Sequence, residues 1–116
     1  MRFLTLLCIA PLLGACQTID TTVYKETAKA SWYQHGTQTA SGQKFDPNGY
    51  TVAHKTLPFG TKLKLTNTLN GKVIFVTVND RGPFIRGREI DVSKGGAKAL
   101  GFIDSGTANL KMEIIK

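Results

Sequence analysis

Apolar and polar positions alternate over short stretches through most of the chain. Lys62-Leu63-Lys64-Leu65-Thr66 places a leucine at every second position, the period of a strand with one buried face. Asn109 to Ile115 repeats the pattern, with Leu110, Met112 and Ile114 set against Lys111 and Glu113. Val73 to Val78 is a near-continuous apolar run, which predicts a strand buried on both faces. Asn70-Gly71 is a hairpin signal joining that run to the strand before it. Ala30–Tyr33, Tyr50–His54 and Glu89–Val92 are shorter strand candidates. Lys94 to Leu100 predicts a helix, with Ser93 placed to cap its start and Gly101 to end it. Asp46-Pro47-Asn48-Gly49 and Leu57-Pro58-Phe59-Gly60 are turn sequences. Some six short strands with one small helix predict a mainly β protein built as a closed barrel.

The first residues follow other rules. Phe3 to Leu13 is an apolar run behind Arg2, too short to span a bilayer, which needs about 20 residues. It has the form of a signal-peptide core. Leu13-Gly14-Ala15-Cys16 resembles the lipobox of bacterial lipoproteins, in which the cysteine becomes the acylated first residue. This implies a leader over residues 1–15, removed on maturation, and a membrane anchor (palmitate among its acyl chains) on Cys16. Gln17 follows where Asp would signal inner-membrane retention. By that sorting rule the expected site is the inner leaflet of the outer membrane, with the domain in the periplasm. Gln17 to Lys29 is polar, Thr-rich and without apolar periodicity, and reads as a tether. The folded domain is expected over residues 30–116.

With 116 residues the chain holds one modest domain. Cys8 falls in the leader and Cys16 in the anchor, so no cysteine is left for a disulfide. Fifteen basic against 8 acidic residues give a net charge of +7, which favours anionic partners such as the acidic bacterial wall. The basic residues are scattered, and no nucleic-acid motif is present, so no nucleic-acid partner is expected. His35 and His54 lack partners at ligand spacing, so neither a metal nor a cofactor is expected.

The chemical centre is Val76-Thr77-Val78-Asn79-Asp80-Arg81-Gly82-Pro83-Phe84. An apolar strand ends in a carboxylate beside a guanidinium, and Gly-Pro then forces a turn. Such placement, on a loop at the end of a rigid strand, is common for functional residues. Asp80 is the candidate catalytic residue. Arg81 would hold its carboxyl low if it pointed inward, whereas burial would raise it. Trp32, Tyr33 and Phe84 are candidate ring faces for a ligand, although aromatic rings at strand ends more often join the core. Asp91 is expected to brace the strand-to-helix junction near Ser93, with a part in catalysis as the alternative, and Asp46 to serve its turn.

Four segments stand in order: Ala30-Ser31-Trp32-Tyr33, Thr39-Ala40-Ser41-Gly42-Gln43-Lys44-Phe45-Asp46, Ala53-His54-Lys55-Thr56-Leu57-Pro58-Phe59-Gly60-Thr61 and Val78-Asn79-Asp80-Arg81-Gly82-Pro83-Phe84. Gly87-Arg88-Glu89-Ile90-Asp91-Val92-Ser93 and Ala99-Leu100-Gly101 follow. Together they resemble the rare lipoprotein A (RlpA) family. The resemblance implies a six-stranded double-psi β-barrel with one or two short helices. It implies a monomeric, cofactor-free lyase of peptidoglycan, an endolytic transglycosylase. Such an enzyme cuts between N-acetylmuramic acid and N-acetylglucosamine and leaves a 1,6-anhydro end. It carries the catalytic aspartate onto Asp80 and a supporting histidine onto His54, with Arg81, Trp32 and Tyr33 beside the substrate. The family's acidic residue after Ser-Gly falls on Gln43, which is isosteric with Glu and hydrogen-bonds a sugar but transfers no proton. Glycosidic cleavage needs a proton for the leaving oxygen. In a lytic transglycosylase the sugar's own 6-hydroxyl attacks, so one carboxylate can serve first as acid and then as base. The alternative is a glycan-binding or wall-loosening module without catalysis, which Gln43 keeps open.

Overall fold

The computed structural model describes residues 21–115, with side chains from residue 27 onward. The expected leader and Cys16 lie outside the described residues. The strands are β1 (Thr21–Tyr33), β2 (Thr51–His54), β3 (Lys62–Asn67), β4 (Val73–Asp80), β5 (Ile90–Ser93) and β6 (Thr107–Ile115), with helix α1 (Lys94–Leu100) between the last two. They close into a barrel in the order β1-β5-β2-β4-β3-β6. The pairs β1/β5 and β2/β4 are parallel and the other four antiparallel.

The interior is filled by the alternating apolar positions. Leu63, Leu65, Val78, Ile90, Val92, Leu110 and Met112 are fully buried. Val73 and Phe75 remain 43% and 60% exposed, which corrects the expectation that this strand is buried on both faces. Only Ile74, Val76 and Val78 point inward. A small closed barrel has one interior, and the outer face of β4 lies beside Lys64 of β3, the register partner of Phe75.

The stretch read as a tether is also corrected in part. β1 starts at Thr21, and Ala28 and Lys29 pair with Leu110 and Asn109 of β6. The register shifts between Val23 and Lys25 and again between Lys25 and Ala28. Such irregularities break the two-residue period, so the strand carries no alternating signature in the sequence.

The hairpin at Asn70-Gly71 and the helix with its two caps form as expected. Gly71 takes a φ of +77°. Gly101 is left-handed and closes α1 on the carbonyls of Ala97 and Lys98. Ser93 does more than cap. Its fully buried Oγ donates to the Gly49 carbonyl at 2.6 Å and accepts from the amides of Thr51 and Gly96, each at 3.3 Å. One hydroxyl thus ties the 46–49 turn, the start of β2 and the start of α1 together. Ser93→Ala leaves those groups without their partner and is expected to cost about 1–3 kcal/mol, read as a lowered urea midpoint at unchanged slope.

Candidate active site

β4 carries Asp80 to the rim of the barrel, where three donors reach its carboxylate. Oδ1 accepts from the amides of Ala40 at 2.8 Å and Arg81 at 2.9 Å, and Oδ2 accepts from the Tyr33 hydroxyl at 3.3 Å. The loop after β1 is held in place by its own contacts. The Ser41 amide donates to the Asn79 carbonyl, and the Tyr33 ring stacks on Phe45 with centroids 4.8 Å apart. Burial first, then the charge of Asp80, its hydrogen bond and the charge of Asp91, push the Tyr33 phenol well above its ordinary value. Tyr33 therefore stays a donor to Asp80 across the physiological range.

Arg81 points away from the carboxylate that precedes it. Its guanidinium donates to the carbonyls of Leu57 at 2.8 Å and His54 at 3.3 Å and lies 4.0 Å above the Phe59 ring. It clamps the 55–60 turn to the end of β4. His54 works on the same turn. Its Nδ1 accepts the amides of Thr56 and Leu57, both at 3.1 Å, which assigns the proton of the neutral ring to Nε2. Burial, then the Arg81 charge, lower its pKa.

A second carboxylate stands on the same outer face. Ala53 of β2 is the register partner of Asp80 on one side and of Asp91 on the other. Asp91 in turn pairs with Ser31, whose Oγ donates to Asp91 Oδ1 at 2.8 Å. Asp80, Ala53, Asp91 and Ser31 thus form a row across four strands. Burial pushes the Asp91 carboxyl above its ordinary value, and Asp80 pushes the same way. The Ser31 bond and the Arg88 charge oppose the rise. Asp91 was expected to brace the helix junction; its partner is Ser31 instead. Its place at a strand-to-helix boundary hid this, because the neighbour lies on β1, sixty residues away.

The remaining candidates divide. Tyr33 joins Asp80. Gln43 is exposed and lines a shallow depression of about 230 Å³ with Ser41, Phe59 and Asn79, the residue before Asp80. Trp32 faces the other way: it packs on the core, and its indole donates to the Ile103 carbonyl at 3.3 Å. Phe84 is 81% exposed on the loop after Pro83. Asp46 serves its turn, accepting the Asn48 amide. The amide of Ala40 carried no sequence signal beyond its place in a polar loop. Among the described residues, no three His, Cys, Asp or Glu side chains group to hold a metal, and no helix is long and apolar enough to cross a membrane.

The closed mixed barrel of six strands is a double-psi β-barrel, and solved proteins of diverse kinds share it. An expansin from Clavibacter michiganensis superposes with a TM-score of 0.64 at 20% identity, over 84% of this chain and 51% of that one. A Streptomyces papain inhibitor superposes at 0.62 with 24% identity, over 80% of this chain and 98% of its own. At these identities the likeness is one of fold. Residues 25–112 match the double-psi barrel family described as lytic transglycolase, and the chain belongs to it. It is 50% identical over 95 residues to the endolytic peptidoglycan transglycosylase RlpA of Neisseria meningitidis serogroup A, covering 79% of this chain and 40% of that protein. It is 47% identical over 97 residues to the RlpA of Pseudomonas aeruginosa strain UCBPP-PA14, covering 81% of this chain and 28% of that one. The chain thus spans well under half the length of these relatives.

His54 offers a direct check on the site's electrostatics. With its folded pKa lowered, the unfolded chain binds more protons as pH falls, so stability is complete above about 6.5 and is lost as pH drops toward the folded value. The carbonyl of Asn mimics Nδ1. His54→Asn is therefore expected to fold and to show a flatter unfolding free energy between about pH 7 and pH 5, measured by urea denaturation across that range.

Proposed function

We propose that the protein is an endolytic peptidoglycan lytic transglycosylase with Asp80 as its acid/base carboxylate. The observation that carries this is the environment of Asp80. Its carboxylate sits on a rigid strand end, both oxygens are engaged by donors, and the neighbouring guanidinium is turned to backbone carbonyls. Asp80 is thereby oriented for proton transfer and, among the described residues, left without an ion-pair partner of its own. Family membership supports the reaction class, as do relatives at about half identity that bear this activity in their names.

The substrate is the glycan strand, cut between N-acetylmuramic acid and N-acetylglucosamine. The 6-hydroxyl of the muramic residue attacks its own C1, so no water is consumed and a 1,6-anhydro end results. Tyr33 holds Asp80. His54 and Arg81 act indirectly by fixing the 55–60 turn. Gln43 makes no hydrogen bond to Asp80, which supports a site that works without a carboxylate at that position. Gln43 is placed to orient sugar. The protein is monomeric and anchored by acylated Cys16 in the outer membrane, with the barrel in the periplasm. The lipobox and apolar leader of the sequence support that location.

Product analysis by mass spectrometry on amidase-stripped glycan strands tests the activity. The wild-type protein is expected to release anhydro-ended fragments. Asp80→Asn is expected to lose them while still binding sacculi. Gln43→Glu is expected to change the rate far less than the roughly 10²–10⁴-fold typical of acid–base loss. Silence from the wild type with activity in Gln43→Glu would instead make this a glycan-binding barrel.

A further inference from the structure

The outer face of β4 is apolar where the fold has no use for apolar groups. Ile74, Val76 and Val78 fill the interior, while Val73 and Phe75 stand 43% and 60% exposed on the opposite side. Thr77 continues that row into the depression lined by Gln43, Phe59 and Asn79. The row thus runs along one strand toward the end that carries Asp80. Five residues lead from Phe75 to Asp80, roughly 17 Å at the rise of a strand and about the length of three or four sugars.

β3 flanks the row with cations. Lys64 is the register partner of Phe75 and Lys62 of Thr77, whose Oγ1 accepts from Lys62 Nζ at 2.7 Å. Lys111 and Glu113 of β6 come next, 3.9 Å apart. Among the described residues neither Lys62 nor Lys64 is in an ion pair. Three ammonium groups, of Lys62, Lys64 and Lys111, thus stand against the carboxylate of Glu113, beside an apolar strip one strand wide. A linear polyanion with apolar patches matches that shape and charge better than a broad bilayer does. In a glycan stripped of peptide, each muramic residue carries a free lactyl carboxylate, and each pyranose ring offers a face of C–H groups to an aromatic ring.

We propose that the outer face of β4 and β3 is a distal binding surface for the glycan strand, with Phe75 under a sugar ring and Lys62 and Lys64 facing lactyl carboxylates. It rests on the transglycosylase reading for where the strand starts, at Asp80, and adds strand length as a determinant of binding. A strand that reaches from Asp80 to Phe75 gains contacts that a tetrasaccharide cut at its middle does not.

Binding is measured by fluorescence anisotropy on labelled, amidase-stripped long strands, with Asp80→Asn protein as the parent so that they stay intact. Phe75→Ala is expected to weaken binding roughly tenfold through loss of a ring that the strand covers, and Phe75→Trp to keep it. Lys64→Gln is expected to weaken it several-fold at low salt and little at about 1 M, where charge attraction is screened. With Asp80 restored, Phe75→Ala is expected to raise KM on long strands and not on the tetrasaccharide. Long strands bound as tightly by Phe75→Ala and Lys64→Gln as by the parent would overturn the proposal. So would variants that keep the strands but lose phosphatidylglycerol vesicles, since the face would then be a membrane contact. Strands held through Phe75 but left uncut by the wild type keep the surface and remove the transglycosylase reading. Strands cut with a KM indifferent to Phe75 remove the surface alone.

Discussion

Arg81 lies next to Asp80 in the chain, yet its guanidinium bonds to the carbonyls of His54 and Leu57. The rest of the site depends on that choice. A guanidinium paired with the adjacent carboxylate would occupy its oxygens and offset its charge. Bonded instead to the turn after β2, the same cation joins the ends of two parallel strands and stacks on Phe59. The cation becomes structure, and the carboxylate is left to groups that orient it. Those groups are the amide of Ala40, the amide of Arg81 itself and a phenol that burial keeps protonated.

The same arrangement explains the histidine. Burial first, then the Arg81 charge, disfavour a second proton on His54 against the opposing pull of Glu89, and two amides already donate to Nδ1. The ring is held neutral as an acceptor, and the turn it supports carries one of the two carbonyls that hold Arg81. Histidine, arginine and turn form one unit, whose effect on Asp80 is exerted through backbone position.

Most of the fold was legible in the sequence because strands and caps have local signatures. Leu63 and Leu65, Leu110 and Met112, Ser93 and Gly101 all do what their spacing suggested. The failures have local causes too. β1 was cut short because its irregular pairing scrambles the alternation from Val23 to Ala28. β4 was expected to be covered on both sides because Phe75 and Val73 are apolar, although a barrel wall has a single inside. The position of Asp80 at a strand end was readable, and it closes β4. The reading of Asp91 against the helix failed because its partner, Ser31, is brought to it by the parallel pairing of β1 and β5 across sixty residues. Such pairing leaves no trace in the neighbouring residues. The order β1-β5-β2-β4 is what sets Ser31, Asp91, Ala53 and Asp80 side by side.

The early start of β1 shortens a leash. A tether running to Lys29 would let the barrel roam roughly 40–45 Å from an acylated Cys16. With β1 beginning at Thr21, only four residues, Gln17 to Asp20, separate Cys16 from the barrel, a span of roughly 17 Å at full extension. On the proposal of an acylated Cys16, a barrel held so closely would work as a depth gauge. Of all the glycan in the wall, it would meet only the strands that lie almost against the membrane.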